Sequence, residues 1–403
     1  MNTRKAGSML RRLMEAMAPS TKAWKRADLS LLEGLSDEDT RREAEFDAPV
    51  KPERVEEVLG KYGLNGSCRD YRIGPSVTTY EVAVPVGTRI SSVERYREDI
   101  ARDLGVPSLR IVKDSSGSMT IGLEIENGSR LPVDFRTLAA GIPAGMSLPI
   151  VLGEDTYGRG IYRDLADMPH LLVAGQTGSG KSVFMTSALA TLCGLFGPDK
   201  LRLMLVDPKR VEFAEFEGDC HVEGEVAYEV DEARELMDRA VDEMERRFGM
   251  LKDARCKNIK EYNRVCPKEA LPYIVVAVDE FADLMLMGSR DERQKVEQSI
   301  VRLAQKARAV GIHLVLGTQK PLVTVVTSLI KGNMPARAAF SVTSSADSRV
   351  VLDENGAEAL TGCGDMLYRD PTARLESERL RRVQAPWVTP TNLCVLLGRR
   401  ERR

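Results

Sequence analysis

The stretch "LLVAGQTGSGKSVFM", Leu171 to Met185, constrains this chain more than any other: an apolar strand, a glycine-rich turn and the start of a helix follow one another directly. The spacing G-x-x-x-x-G-K-[ST] is met by Gly175, Gly180, Lys181 and Ser182. Glycines at 175, 178 and 180 let the backbone curl around phosphate oxygens, with Gln176, Thr177 and Ser179 between them. The loop N–H groups and the positive end of the next helix then face the ligand. Lys181 is placed to reach the β and γ oxygens and Ser182 to hold magnesium. A strand before and a helix after are the context that separates such a loop from an ordinary glycine turn, so the stretch predicts a nucleoside triphosphate site with Mg2+.

A second set of residues completes that prediction. In "YIVVAVDEFADL" a run of buried β-branched residues ends in Asp279 and Glu280. Two carboxylates there are costly unless a cation or ligand uses them. Asp279 suits the magnesium shell and Glu280 the polarisation of an attacking water; capping of the next helix accounts for Asp279 alone, not for both. "IHLVLGTQKP" ends a further strand in Thr318 and Gln319, and strand ends carry the ligands in open α/β sheets. Gln319 is therefore expected to sense the terminal phosphate.

The 403 residues exceed the roughly 250–300 at which single cores stop growing, which predicts two domains. Residues 1–49 carry basic and then acidic runs and are expected to be a flexible charged arm. Residues 50–150 mix a helical stretch ("VEEVLGKYGL"), alternating strands ("SVTTYEVAV", "MTIGLEI") and an amphipathic helix ("SVERYREDIARDLG"), an α+β unit. From 151 to 398 strands and helices alternate, and the strands are continuously apolar, as in a parallel sheet covered on both faces. Residues 399–403 form an arginine-rich tail. No apolar run approaches the ~20 residues of a membrane helix, and the seven cysteines form no C-x-x-C pair, so a cytoplasmic protein without direct membrane insertion is expected. Cys220 and His221 lack a second pair at zinc-ligand spacing, and no structural metal is expected. With 58 basic and 60 acidic residues, any nucleic-acid binding must come from a local basic surface.

The segments "MPHLLVAGQTGSGKSV", "LMLVDPKRVEFAEFEG", "YIVVAVDEFADLM", "LAQKARAVGIHLVLGTQKP", "LIKGNMPARAAFSV", "DSRVVLDENGAEAL" and "GCGDMLYRD", in this order, closely resemble the motor domain of the FtsK/SpoIIIE DNA translocases. The resemblance runs from about Val50 to Arg382. It implies an α/β fold, a RecA-like P-loop ATPase domain preceded by a smaller α+β domain, and a hexameric ring that pumps double-stranded DNA through its pore at the expense of ATP. Arg308 in "LAQKARAVG" falls where the family has the arginine finger that reaches into the neighbouring subunit. Lys320 and Lys331 match basic positions of the family's pore-facing loops; Arg337 is a further DNA-contact candidate, with buried structural pairing an equal alternative, and where the family has a third lysine this chain has Ser345.

The family's membrane anchor and sequence-reading winged-helix domain have no counterpart in the segments above, so a bare motor for DNA transfer, packaging or segregation is expected. Two other readings compete with it. A protein-export ATPase of the type VII secretion kind uses related domains, and a nucleotide-gated scaffold would bind DNA without moving along it; the complete set Lys181, Asp279 and Glu280 argues for turnover.

Overall fold

Helical amphipathy and strand alternation build the first unit. The computed structural model describes residues 24–36, 46–113, 120–287, 289–374 and 378–399. Helix α1 (Pro52–Lys61) is followed by β1 (Ser67–Ile73), β2 (Val77–Ala83), α2 (Ile90–Arg95), α3 (Arg97–Leu104), β3 (Leu109–Lys113) and β4 (Thr120–Glu126). The four strands form an antiparallel sheet in the order β1-β2-β4-β3. One face buries Tyr80, Val82, Leu123 and Ile125 against Val55, Val58, Leu59 and Ile100 of the helices. The expected single helix over 92–105 is two, broken at Tyr96, and Gly105 closes the second in a left-handed conformation that glycine adopts without strain. Strand β1, "SCRDYRI", has no expected counterpart because it is a largely exposed, charged edge strand without an apolar face to announce it.

The chain crosses into the second unit earlier than residue 150. Phe135 and Ala139 of α4 (Phe135–Ala140) already lie in the larger core, so the change of unit falls between Glu126 and Phe135.

The larger sheet holds β5 (Pro149–Asp155), β6 (Gly160–Asp164), β7 (Leu171–Ala174), β8 (Leu201–Val206), β9 (Tyr273–Val278), β10 (Ile312–Thr318), β11 (Ala336–Phe340), β12 (Asp365–Arg369) and β13 (Leu380–Gln384). Their order is β6-β5-β13-β12-β11-β7-β10-β9-β8. The strands from β8 to β11 pair in parallel, as their uninterrupted apolar runs predict, and those from β12 to β6 extend the sheet antiparallel. One face is covered by α5 (Lys181–Leu195). The other is covered by α6 (Val230–Asp253), α8 (Phe281–Leu286) and α9 (Arg290–Lys306), with α7 (Ile259–Val265) at its margin. Helices α10 (Ser328–Asn333), α11 (Ser345–Leu352) and α12 (Pro390–Leu396) complete the unit.

Helix α5 is apolar on every side, and part of the expected arm covers its outer face. The Trp24 indole N–H donates to the Cys193 carbonyl at 3.0 Å, the Ala27 N–H to the Gly194 carbonyl at 2.8 Å, and Leu32 is buried. The Glu33 N–H donates to Asn392 of α12 at 2.7 Å. Residues 24–36 are thus docked on the larger unit, where flexibility was expected, because an all-apolar helix must be covered. Residues 1–23 and 37–45 of that arm lie outside the described residues. So does the tail from Arg400 onward; Arg399 donates to the Glu217 carbonyl.

A buried ion network joins the two units. Arg382 of β13 donates through Nε and Nη2 to the two oxygens of Asp365 at 3.0 and 2.6 Å, and lies 3.4 Å from Glu124 of β4, which also pairs with Arg110. Asp365 also accepts the N–H and hydroxyl of Thr361. The attraction of Asp365 and Glu124 outweighs desolvation and holds Arg382 firmly charged.

Candidate active site

Because β7, β10, β9 and β8 run parallel, the loops that leave their carboxyl ends share one edge of the sheet, which is where ligands bind in such sheets. The loop after β7 is anchored on both neighbours: the Gly175 N–H donates to the Thr318 carbonyl of β10 at 3.1 Å, and the Gln176 N–H to the Ser341 carbonyl after β11 at 2.9 Å. Gly180 has φ +104°, and a Cβ there would lie 2.5 Å from the Gly364 nitrogen, so no other residue fits at this bend. The helix that follows starts at Lys181, as expected.

Lys181 is buried, and its ammonium donates to Asp279 Oδ1 at 2.6 Å and to the Asp279 carbonyl at 2.7 Å. The two residues follow strands β7 and β9, which β10 separates, and the contact passes under Gly317. A Cβ at 317 would stand 2.4 Å from the Asp279 carbonyl oxygen and 3.1 Å from Lys181 Nζ. This glycine inside a strand is a signal the sequence reading did not use; such a residue marks a close approach.

Glu280 is buried and held by the next strand. Its Oε1 accepts the Thr318 hydroxyl at 2.7 Å and its Oε2 the Gln319 N–H at 2.9 Å, with Lys209 Nζ at 3.8 Å. The Thr177 hydroxyl donates to Gln319 Oε1 at 3.1 Å. Gln319 therefore ties the phosphate loop to Glu280.

Two further carboxylates went unnoticed in the sequence. Asp207, fully buried after β8, accepts the Phe213 N–H at 2.9 Å and so folds the turn that carries Glu212 back over the site. The Glu212 carbonyl accepts the Thr186 hydroxyl of α5, and its carboxyl lies within hydrogen-bonding reach of the Ser182 hydroxyl. Burial raises the Glu212 carboxyl above the usual range, against the opposing pull of Ser182 and Lys181. The "DPKRVEF" pattern carries no spacing rule that announces this; the turn delivers it.

Asp279 Oδ2 and Asp207 Oδ1 are buried without a hydrogen-bond partner among the described residues. Orphaned carboxylate oxygens at the strand ends, with the Ser182 hydroxyl at the start of α5 and in reach of Glu212, offer the all-oxygen donor set that a hard divalent cation prefers. The residues present thus fit Mg2+.

The other expected residues lie elsewhere. Arg308 sits on the single turn Ala307–Val310 just before β10, exposed and unpaired among the described residues, at the edge of the sheet opposite its own phosphate loop. Lys320 is exposed beside Gln319. Lys331 pairs with Asp353 at 2.7 Å. Arg337 is not available as a DNA contact: it is buried, pairs with Asp353 at 2.6 Å, and donates to the carbonyls of Met334, Val351 and Lys331, so every guanidinium nitrogen is used to tie α10 and α11 to β11. His221 has both ring nitrogens hydrogen-bonded, to Asp219 and the Phe196 carbonyl.

The FtsK alpha domain model matches residues 28–127 and the FtsK/SpoIIIE family model residues 143–323. The DNA translocase FtsK of Lactiplantibacillus plantarum is 40% identical over 328 residues, covering 79% of this chain and 41% of that protein, so the chain spans about two fifths of that relative's length. Among solved structures, the pCW3 conjugation coupling protein TcpA, a monomer with ATPγS, is 25% identical with a TM-score of 0.57, over 84% of this chain and 95% of that one. The cytoplasmic domain of the type VII secretion ATPase EccC of Thermomonospora curvata, at 24% identity and TM-score 0.54 over 62% of this chain and 30% of that one, shares the fold. With both family models matched in order along the two units, the chain belongs to the FtsK/SpoIIIE family.

Proposed function

We propose that this chain is an ATP-driven motor that moves along double-stranded DNA as a homo-oligomeric ring, six subunits by analogy with its family. The observation that carries the reading is the two ends of β10. At its carboxyl end, Thr318 and Gln319 are held by Glu280, Gln319 is held by Thr177 of the phosphate loop, and Lys320 stands next to them on the surface. A change at the terminal phosphate therefore passes within one residue to a cationic loop suited to sequence-independent phosphate contact. At its amino end, roughly 20 Å away along a seven-residue strand, Arg308 is exposed. It is too far to serve its own site, and in a head-to-tail ring it serves the neighbour's.

Within one site, Lys181 and the loop N–H groups bind the phosphates, Glu280 polarises water and Gln319 orients it. Ser182 and Asp279 would hold Mg2+, which when bound neutralises charge on the phosphate oxygens. Seven cysteines free of disulfides suit a reducing cytoplasm, and among the described residues no helix is long and apolar enough to cross a membrane.

The test is ATP hydrolysis by the full chain with and without linear duplex DNA, followed by displacement of a DNA triplex. Strong stimulation with displacement is expected. Turnover stimulated by a protein substrate but not by DNA would replace the motor with an export ATPase, and DNA binding without turnover would replace it with a scaffold.

A further inference from the structure

The cavity over the phosphate loop is larger than a triphosphate needs. Its volume is about 590 Å3, within the usual range for a small-molecule site. Gln176, Thr177, Gly178, Gly180, Lys181 and Ser182 line the end where phosphates belong. The remaining wall has a different chemistry. Leu131, Pro132 and Val133, from the crossing between the two units, face the cavity together with Ala385, Pro386 and Trp387, from the segment after β13. Trp387 is 67% exposed, an unusual setting for so large an apolar ring on the wall of a polar site.

That wall is rigidly spaced from the phosphate loop. The Gly364 N–H donates to the Ser179 carbonyl at 2.8 Å, and the Gly364 carbonyl accepts the Ala385 N–H at 2.8 Å. Two backbone hydrogen bonds thus connect the phosphate loop to the strand end that carries Trp387. Gln384 reinforces the link, donating through Nε2 to the carbonyls of Cys363 and Ala385. On the facing side, Arg130 donates to the Thr361 carbonyl and fixes the start of the Leu131–Val133 segment.

We propose that this apolar end seats the purine base of the nucleotide, with the Trp387 indole as its stacking platform. The proposal rests on the ATP reading given above and adds the residue that recognises the base. An indole offers a flat face to a heterocycle, and Pro386 restricts the backbone beside it, so stacking orders few new torsions. A purine, with the larger ring area, gains more from the platform than a pyrimidine does.

The chain has two tryptophans, and Trp24 lies against α5 beside Cys193, so a Trp24→Phe protein reports on Trp387 alone. ATP is expected to quench this emission and inorganic tripolyphosphate to leave it unchanged. If Trp24→Phe folds poorly, the difference between wild type and Trp387→Ala carries the same signal. Base–aromatic stacking of the usual strength predicts an ATP Kd weakened about 5- to 100-fold in Trp387→Ala, mostly restored in Trp387→Phe, with tripolyphosphate affinity unchanged. Wild-type ATP affinity in Trp387→Ala, or equal quenching by ATP and tripolyphosphate, would overturn the proposal. Lys181→Ala separates the two readings: if it loses both ligands while Trp387→Ala loses neither, only the base site fails, and if Lys181→Ala keeps both, the ATP reading fails with it.

Discussion

Two buried ion pairs, about equally hidden from water, differ in how completely they are satisfied. At the junction of the units, both oxygens of Asp365 are occupied by Arg382 and Thr361, and Arg382 reaches on to Glu124. At the sheet edge, Lys181 meets the Asp279 carboxylate through one oxygen and leaves Oδ2 with no partner among the described residues. A buried polar atom left unpaired costs about 1–3 kcal/mol, which the fold tolerates where a ligand supplies the partner. The arginines follow the same division. Arg337 is buried and saturated, whereas Arg308 is exposed and unpaired among the described residues. At these four sites saturation goes with charges that hold the fold, and in the reading proposed above incompleteness goes with charges kept for a ligand or a neighbouring subunit.

This contrast is most exposed to failure at Arg308. Arg308→Ala is expected to bind ATP normally and to hydrolyse it about 10³-fold more slowly or worse, the effect of losing an arginine finger. Mixing it with Glu280→Ala subunits should restore part of the activity, since some interfaces then pair an intact finger with an intact base; no restoration would remove Arg308 from the neighbour's site. Glu280→Gln keeps both hydrogen-bonding contacts in outline, so turnover should fall about 10²- to 10⁴-fold while the melting temperature barely moves. A large loss of stability there would put Glu280 among the structural charges.

The opposite pattern is expected at the junction. Arg382→Ala leaves Asp365 buried without its cation and Glu124 with Arg110 alone, and should cost about 3–5 kcal/mol, read by denaturant unfolding, with turnover per folded molecule changed only a few-fold. The smallest effect concerns the buried histidines. Burial pushes His313 down to about 4 and His170 to about 3, so both are neutral in the folded chain. Their folded values lie below the unfolded one, so as pH falls through 6.5 the unfolded chain takes up protons first and stability drops down to those values. Between pH 6.5 and 5.5 each costs roughly 1 kcal/mol, and His313→Asn, which keeps a donor for the Pro169 carbonyl, should flatten the dependence in melting experiments.

Much of the site was legible because its signals are local. The loop at 175–182 and the pair Asp279 and Glu280 each sit within a few residues of a strand whose apolar run is unmistakable. Glu212 was not legible, since it reaches Ser182 only through the turn that Asp207 folds. Arg337 stayed a DNA-contact candidate beside the buried pairing it makes for the same reason: a basic residue in a loop-flanked segment looks the same in sequence whether three carbonyls or solvent surround it. Strands β5, β6 and β13 escaped notice because antiparallel extension depends on partners far away in the chain.

By itself, the sequence determined that a strand, a glycine loop and a helix would cradle phosphates, and that two carboxylates would end a buried strand. Those outcomes depend on backbone preferences and on spacings of a few residues. Only the tertiary structure decided that Gly317 opens a path for Lys181 to Asp279, that Arg308 and the phosphate loop lie on opposite edges of the sheet, and that Trp387 faces the phosphate loop across a cavity. Each of these is a distance between residues from different elements, set by strand order, which no local pattern encodes.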